Sequence, residues 1–330
     1  MKKLMLSAFL SFITSYVLAQ QGTLLVANKA DSSVMLIDLA SCTVKATLPV
    51  GRGPHEVAVN LSGKMAAVAN YGDRAKAGNS ISVIDIVNKR KLKDISLEKY
   101  LRPHGMEFIS EEEVLVTSEA NKALLKVNVT TGEVSEVAAT NQLTSHMVAY
   151  SYRDKMAYVA NIASGTVSAI DVSKNVLLRQ IPFKKGIEGL AVSPDGKELW
   201  VANRDDSTVT AISTGTDESL AVLQAEGVAY RVKFTPDGRY VLVSNGMSGT
   251  VSVYDVAGKK TQTTISLVTE LGEQPVPVGI AVSRDSQWAF VCTAGYSEVA
   301  MIRMADWSVV KRITTGQGPD GVYYSPVVLK

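Results

Sequence analysis

Short apolar runs alternate with clusters of turn residues along the chain, and in residues 188–212 nothing in the pattern asks for a helix. Residues 188–212 show the unit. Residues 188–193 form a short apolar run, Pro194-Asp195-Gly196 is turn chemistry, and residues 198–203 make a second run. Arg204-Asp205-Asp206-Ser207 turns the chain again, and residues 208–212 alternate Thr with apolar side chains as a half-buried strand does.

The second run of each unit ends in a recurring signature. Its copies are Leu25-Val26-Ala27-Asn28, Ala67-Val68-Ala69-Asn70, Val114-Leu115-Val116-Thr117-Ser118, Tyr158-Val159-Ala160-Asn161, Trp200-Val201-Ala202-Asn203, Leu242-Val243-Ser244-Asn245 and Phe290-Val291-Cys292-Thr293. The spacings 70−28, 203−161 and 245−203 are each 42 residues. A period near that length carrying four short strands marks propeller blades rather than a helical solenoid. The expected fold is an all-β, seven-bladed β-propeller with four-stranded blades. The first copy lacks an opening strand, whereas Gly318-Pro319-Asp320-Gly321-Val322 near the C-terminus repeats the pattern of Gly53-Pro54-His55-Glu56-Val57. The C-terminal strand is therefore expected to pair with the N-terminal strands and close the ring, removing open edges.

Tyr158-Val159-Ala160-Asn161, the Ser193-Pro194-Asp195-Gly196 turn and the strand Thr166-Val167-Ser168-Ala169-Ile170-Asp171 resemble the YVTN-repeat propeller family. That family is similar in fold to lactonase-type propellers, to the propeller domain of nitrous oxide reductase and to the haem d1 domain of cytochrome cd1 nitrite reductase. The resemblance covers essentially the whole mature chain and implies a fold more firmly than an activity, because unrelated chemistries sit on this scaffold.

Met1-Lys2-Lys3 followed by the apolar residues 4–18 and Val17-Leu18-Ala19 reads as a secretory signal over residues 1–19, too short for a membrane span. The mature chain, residues 20–330, is expected to be one propeller domain, a monomer in a periplasm or outside the cell. A net charge of +2 with acids and bases interspersed gives no basic stripe, which argues against nucleic acid. Cys42 and Cys292 read as two partly buried thiols too far apart to bridge. Neither lies in a CxxC or CxxCH setting, and no GxSxG elbow, P-loop or HExxH occurs.

The candidate chemistry lies in one register. The position that opens the inner strand of each blade reads His55, His104, His146, Glu188, Tyr230, Val278 and Asp320, and it holds all three histidines of the chain. Seven blades set neighbours roughly 50° apart, so three imidazoles should converge at the channel mouth with Glu188 and Asp320 flanking them. Imidazole with carboxylate suits zinc, copper or iron, and the expected metal ligands are His55, His104, His146, Glu188 and Asp320. Without a metal, one His would serve as general base. His55, His104, His146 and Glu188 are the candidate catalytic groups. Tyr230 and Arg231, with Arg52 and Arg102 ahead of two of the histidines, are candidates for holding a carboxylate or phosphate. Residues 71–79, with Asp73, Arg74 and Lys76, extend one top-face loop, and residues 267–277 form a long entry loop expected to cover the channel.

Two functions follow. One is metal-assisted hydrolysis or isomerisation of a lactone or sugar acid, in line with what the lactonase-type resemblance implies. The other is an exported, non-catalytic scaffold binding protein or glycan on its top face. A redox role ranks below both, since the full histidine ring and the haem-attachment motif are missing.

Overall fold

The computed structural model describes residues 20–270 and 272–329; the signal segment read in residues 1–19 lies outside the described residues. Among the described residues, twenty-eight strands, numbered in chain order, form seven four-stranded antiparallel sheets. The closing sheet joins β28 (Pro319–Ser325) to β1 (Thr23–Asn28), β2 (Ser33–Asp38) and β3 (Thr43–Pro49). Its register pairs Thr23 with Ser325 and Leu25 with Tyr323, so the ring is sealed as the repeat predicts. Among the described residues no helix is long and apolar enough to cross a membrane.

Each sheet buries both faces against its neighbours, which explains why the middle strands read as nearly continuous apolar runs. Trp200 is fully buried between blades, with its ring 6.1 Å from Phe234 and 5.9 Å from Tyr254. Leu24, Val26 and Ile37 of the closing blade pack with Phe290, Val299 and Val322. Cys42 and Cys292 are free thiols at this same cluster.

The inner strands are β4 (Pro54–Val59), β8 (Pro103–Phe108), β12 (Ser145–Ser151), β16 (Ile187–Val192), β20 (Ala229–Phe234), β24 (Pro277–Val282) and β28. All seven carry a bulge at the same place. Pro54 pairs with Asn70 and Val57 with Val68, so His55 and Glu56 together oppose Ala69 alone. His104 and Gly105 oppose Thr117 in the same way, and His146 and Met147 oppose Ala160. A bulge releases two residues from the ladder and re-aims their side chains. Here it delivers the histidine register to the channel mouth. In β8 the freed amide of Gly105 donates to Thr117 Oγ1 at 2.8 Å.

Neighbouring bulges crowd one another. A Cβ on Gly105 would sit 2.6 Å from the carbonyl oxygen of His146, and one on Gly321 would strike the carbonyl of His55. Glycine at these positions is a condition of bringing the inner strands, and hence the imidazoles, together.

Ring closure has a measurable consequence. Deleting residues 319–330 would strip the partner from β1 and unpack Val322 and Leu329, 6 % exposed each. Burial alone is worth about 1.5–3 kcal/mol for each such side chain, before the lost ladder is counted. The truncated chain is expected to lose at least about 4 kcal/mol of stability. An unchanged denaturation midpoint by circular dichroism would show that closure contributes nothing.

Candidate functional site

His55, His104 and His146 occupy the second position of three consecutive inner strands and form a stack. The His104 ring centroid lies 3.7 Å from that of His146 and 4.7 Å from that of His55. All three are buried, with 9 %, 2 % and 8 % of their surface exposed. Tyr71 closes the other side, its ring 4.5 Å from His55 and 5.5 Å from His104.

Carboxylates bracket the stack. His146 Nδ1 is hydrogen-bonded to Glu119, whose second oxygen accepts from the Tyr71 hydroxyl at 2.5 Å. Glu188 Oε1 stands 3.6 Å from His146 Nε2, while its Oε2 accepts from Arg204 at 2.6 Å. At the far end, Asp320 Oδ2 lies 2.9 Å from His55 Nδ1, close but off the line of a well-formed hydrogen bond. His104 Nδ1 and His146 Nε2 are buried without any hydrogen-bond partner among the described residues. Leaving such atoms unpaired is costly, and a bound ligand is one of the few things that offsets it.

The charge states follow from these surroundings. Burial, reinforced by the charge of neighbouring His146 and His55, holds His104 well below the ordinary histidine range, so it is neutral. Burial also pulls on His146, but the Glu119 and Glu188 carboxylates outweigh it and raise its pKa. Glu188 resists the upward push of burial because His146, Arg231 and Arg204 hold it down at about 2. Asp320 does the same with His55, Arg231 and Lys29, also at about 2. The Tyr71 hydroxyl is pushed above its usual range by burial and by the adjacent Glu119.

Beneath the histidines, Arg231 crosses the channel to Glu56, three blades away. Its Nε and Nη2 donate to Glu56 Oε1 at 3.0 and 2.5 Å, and it lies 3.5 Å from Glu188 and 3.9 Å from Asp320. Three carboxylates hold its pKa above the normal value despite burial. Expected from sequence to face a ligand, Arg231 is instead 8 % exposed and saturated by the protein's own acids.

Donor atoms of His104, Glu119 and His146 all lie within 4.8 Å of one another, so this trio could hold a metal ion. Three ligands at ordinary zinc distances stand about 3.4 Å apart, a contraction within reach of side-chain rotation. The trio is narrower than the five-residue ring read from the sequence. His55 is turned to Asp320, and Glu188 is shared among His146, Arg204 and Arg231, so neither these two nor Asp320 falls within it.

Glu119 was not singled out from sequence. It directly follows the Ser118 that ends a signature, a position that reads Lys29, Tyr71, Glu119, Ile162, Arg204, Gly246 and Ala294 around the ring. Four of these touch the histidine register or its carboxylates: Lys29 on Asp320, Tyr71 on His55, Glu119 on His146 and Arg204 on Glu188. Tyr230 is half-buried, with its ring against Gly246, where a Cβ would collide with it.

Above the stack, a cavity of about 810 Å³ is lined by His55 and Tyr71 together with Lys29, Arg52, Arg74 and Arg102. Asp73 Oδ2 accepts from Arg52 at 3.0 Å, and the Asp73 carbonyl accepts from Arg102 at 3.1 Å. The Arg102 guanidinium also lies over the Tyr71 ring, 4.9 Å from its centroid. Residues 71–79 extend β5 (Met65–Gly72) into β6 (Ala77–Asp85), and the first four of them, Tyr71 to Arg74, form part of the cavity wall. The long loop at 267–277 is fastened to the turn after β25 (Trp288–Thr293): Tyr296 donates to the Glu273 carbonyl at 2.6 Å, and Ala294 and Gly295 amides donate to the Val276 and Pro275 carbonyls.

A seven-bladed propeller with a histidine and carboxylate cluster at its channel mouth is the class that fold and site define. The sequence matches the family described as lactonase, 7-bladed beta-propeller, over residues 14–281, and the chain belongs to that family. No curated protein matches it. Among solved structures it is similar to hydrazine synthase of Kuenenia stuttgartiensis, at 19 % identity and a TM-score of 0.73, over 86 % of this chain and 93 % of that one. It is also similar to the dihydro-heme d1 dehydrogenase NirN, solved in complex with DHE, at 15 % identity and a TM-score of 0.65, over 92 % of this chain and 75 % of that one. At these identities the likeness is one of fold.

The cluster sets a pH window for the metal-free protein. Glu188 and Asp320 titrate lower in the folded state than in the unfolded one. Their contribution is fully present above about pH 4.5 and is lost as pH falls toward 2. His146 works in the opposite sense: its raised pKa stabilises below its ordinary 6.5 and that share is lost as pH rises through the folded value. Urea midpoints of chelator-treated protein are expected to peak between these limits, and Glu188→Gln is expected to flatten the acid side. An acid limb identical in the variant would show that Glu188 does not carry it.

Proposed function

We propose that this chain is an exported metal-assisted hydrolase of small acidic lactones. His104, Glu119 and His146 hold a divalent transition metal, zinc in the simplest case, at the channel mouth. The observation that carries this reading is the convergence of donor atoms from His104, Glu119 and His146 within 4.8 Å of one another, with His104 Nδ1 buried and unpartnered among the described residues. Neutral His104 needs no deprotonation to ligate, and a cation beside Glu119 and Glu188 takes over the electrostatic role of the His146 proton. Such an ion supplies Lewis acidity toward a carbonyl.

The protein's own groups do the rest. The cations Lys29, Arg52, Arg74 and Arg102 outnumber Asp73 around the cavity and select a substrate bearing a carboxylate or phosphate. Asp320 against Nδ1 orients His55 and leaves Nε2 as the nitrogen that takes a proton from the attacking water. Export is supported by the basic start and apolar run of residues 1–18.

Proton release by the zinc-loaded protein, followed in a pH-stat with lactones that do and do not bear a carboxylate, tests this. The acidic lactones are expected to turn over, with kcat lowered at least about 100-fold in His55→Gln and KM raised about tenfold in Arg102→Met. No turnover of any acidic lactone, or wild-type kcat in His55→Gln, would contradict the proposal.

A further inference from the structure

The channel has a second chamber. On the side of the Glu56–Arg231 pair away from the histidines lies a cavity of about 430 Å³, with Glu56 and Arg231 in its wall and nothing of the histidine stack. Its chemistry comes from another single register, the fifth position of the inner strands, which reads Ala58, Glu107, Ala149, Ala191, Lys233, Ala281 and Tyr323. Two of its four alanines, Ala149 and Ala191, line the cavity and leave room in it. The three larger residues are an acid, an amine and a phenol.

Glu107 and Lys233 stand three blades apart, which at seven blades per turn places them roughly 150° from each other across the channel. Both line the cavity, yet they do not meet: no hydrogen bond or ion pair engages the Glu107 carboxylate among the described residues. Lys233 forms no ion pair either, and its ammonium lies over the Tyr323 ring, 4.9 Å from the centroid. Burial raises the Glu107 pKa, only partly opposed by the charge of Lys233. The rest of the wall mixes the hydroxyls of Ser151, Ser193 and Thr235 with Met106, Met147, Tyr150 and Phe234, and Tyr152 is fixed by donating to the Phe108 carbonyl at 2.5 Å.

An acid and an amine facing each other across a cavity, neither of them in an ion pair among the described residues, cost stability that an apolar pair would not. A simple cation would meet Lys233, and a simple anion would meet Glu107. We propose that this chamber is a second binding site, distinct from the histidine cluster, for a small zwitterion whose ammonium pairs with Glu107 and whose carboxylate pairs with Lys233. The aromatic and methionine wall takes the apolar body between the two charges.

The unbranched ω-amino acids, ammonium and carboxylate joined by one to seven methylenes, measure the span directly. Titrated calorimetrically into the full chain after chelator treatment, one or two adjacent lengths are expected to bind at least tenfold tighter than the rest. The alkylamine and the carboxylic acid of matching length are expected to bind at least tenfold more weakly than that zwitterion. Glu107→Gln and Lys233→Met should each weaken it at least tenfold, and Ala191→Leu, which narrows the cavity without touching either charge, should do the same. The proposal is overturned if no length binds better than its single-charge analogues. Wild-type affinity in both charge variants, or in Ala191→Leu, would equally overturn it.

Discussion

Replacing Arg231 by Met is expected to destabilise the propeller more than any other single substitution at the channel. Among the described residues the guanidinium is the one group that pairs with Glu56, and it also stands within 4 Å of Glu188 and Asp320. Its removal leaves Glu56 buried and unpaired and withdraws positive charge from two further acids. Losing one member of a buried pair typically costs about 3–5 kcal/mol, most of it from the stranded charge rather than from the lost attraction. The effect should therefore shrink when the acid goes too: Glu56→Leu with Arg231→Met is expected to regain more than half the loss. Urea denaturation of the two single variants and the double variant gives the coupling directly. A loss under about 1 kcal/mol in Arg231→Met would mean that the acids find other partners or protonate without consequence.

The second large effect concerns metal. Zinc at a hundredfold excess over its dissociation constant should stabilise the wild-type chain by about 2.7 kcal/mol, a rise of roughly 5 °C in melting temperature for a chain of this size. His104→Ala and Glu119→Gln are each expected to abolish that rise. In the first case the ligand with no competing partner is gone; in the second the carboxylate that also orients His146 becomes a neutral amide. Asp320→Asn should keep most of it, because Asp320 serves His55 rather than the trio. Equal zinc stabilisation in wild type and His104→Ala would place the ion elsewhere.

How much of this was legible in the sequence depended on whether a feature repeats. The 42-residue spacing and the orphan strand after Gly318 led to seven blades and a closed ring, because each blade needs the same four strands and edges must be paired. The histidine register was readable for the same reason: His55, His104 and His146 hold one position in consecutive copies. The bulge that aims them was hidden, since it leaves no mark except the glycines, such as Gly105 and Gly321, that tolerate its crowding.

Glu119 was missed because it belongs to a different column, one residue past the signature, and becomes a partner of His146 only when adjacent blades are laid side by side. Arg231 reads as a ligand contact because it directly follows Tyr230 of the channel register. Its partner Glu56 lies 175 residues away, and only the ring geometry brings the two together. The same geometry shows that Glu107 and Lys233 face one cavity without meeting.

Elemental analysis of the chain, purified without chelator and checked by zinc titration after stripping, reads the metal site most directly. Close to one transition-metal ion per chain is expected, removable by chelator and restored by one equivalent of zinc. A chain that carries less than a tenth of an equivalent and takes up no zinc on titration would contradict it, leaving the imidazole stack as a structural element of the channel alone.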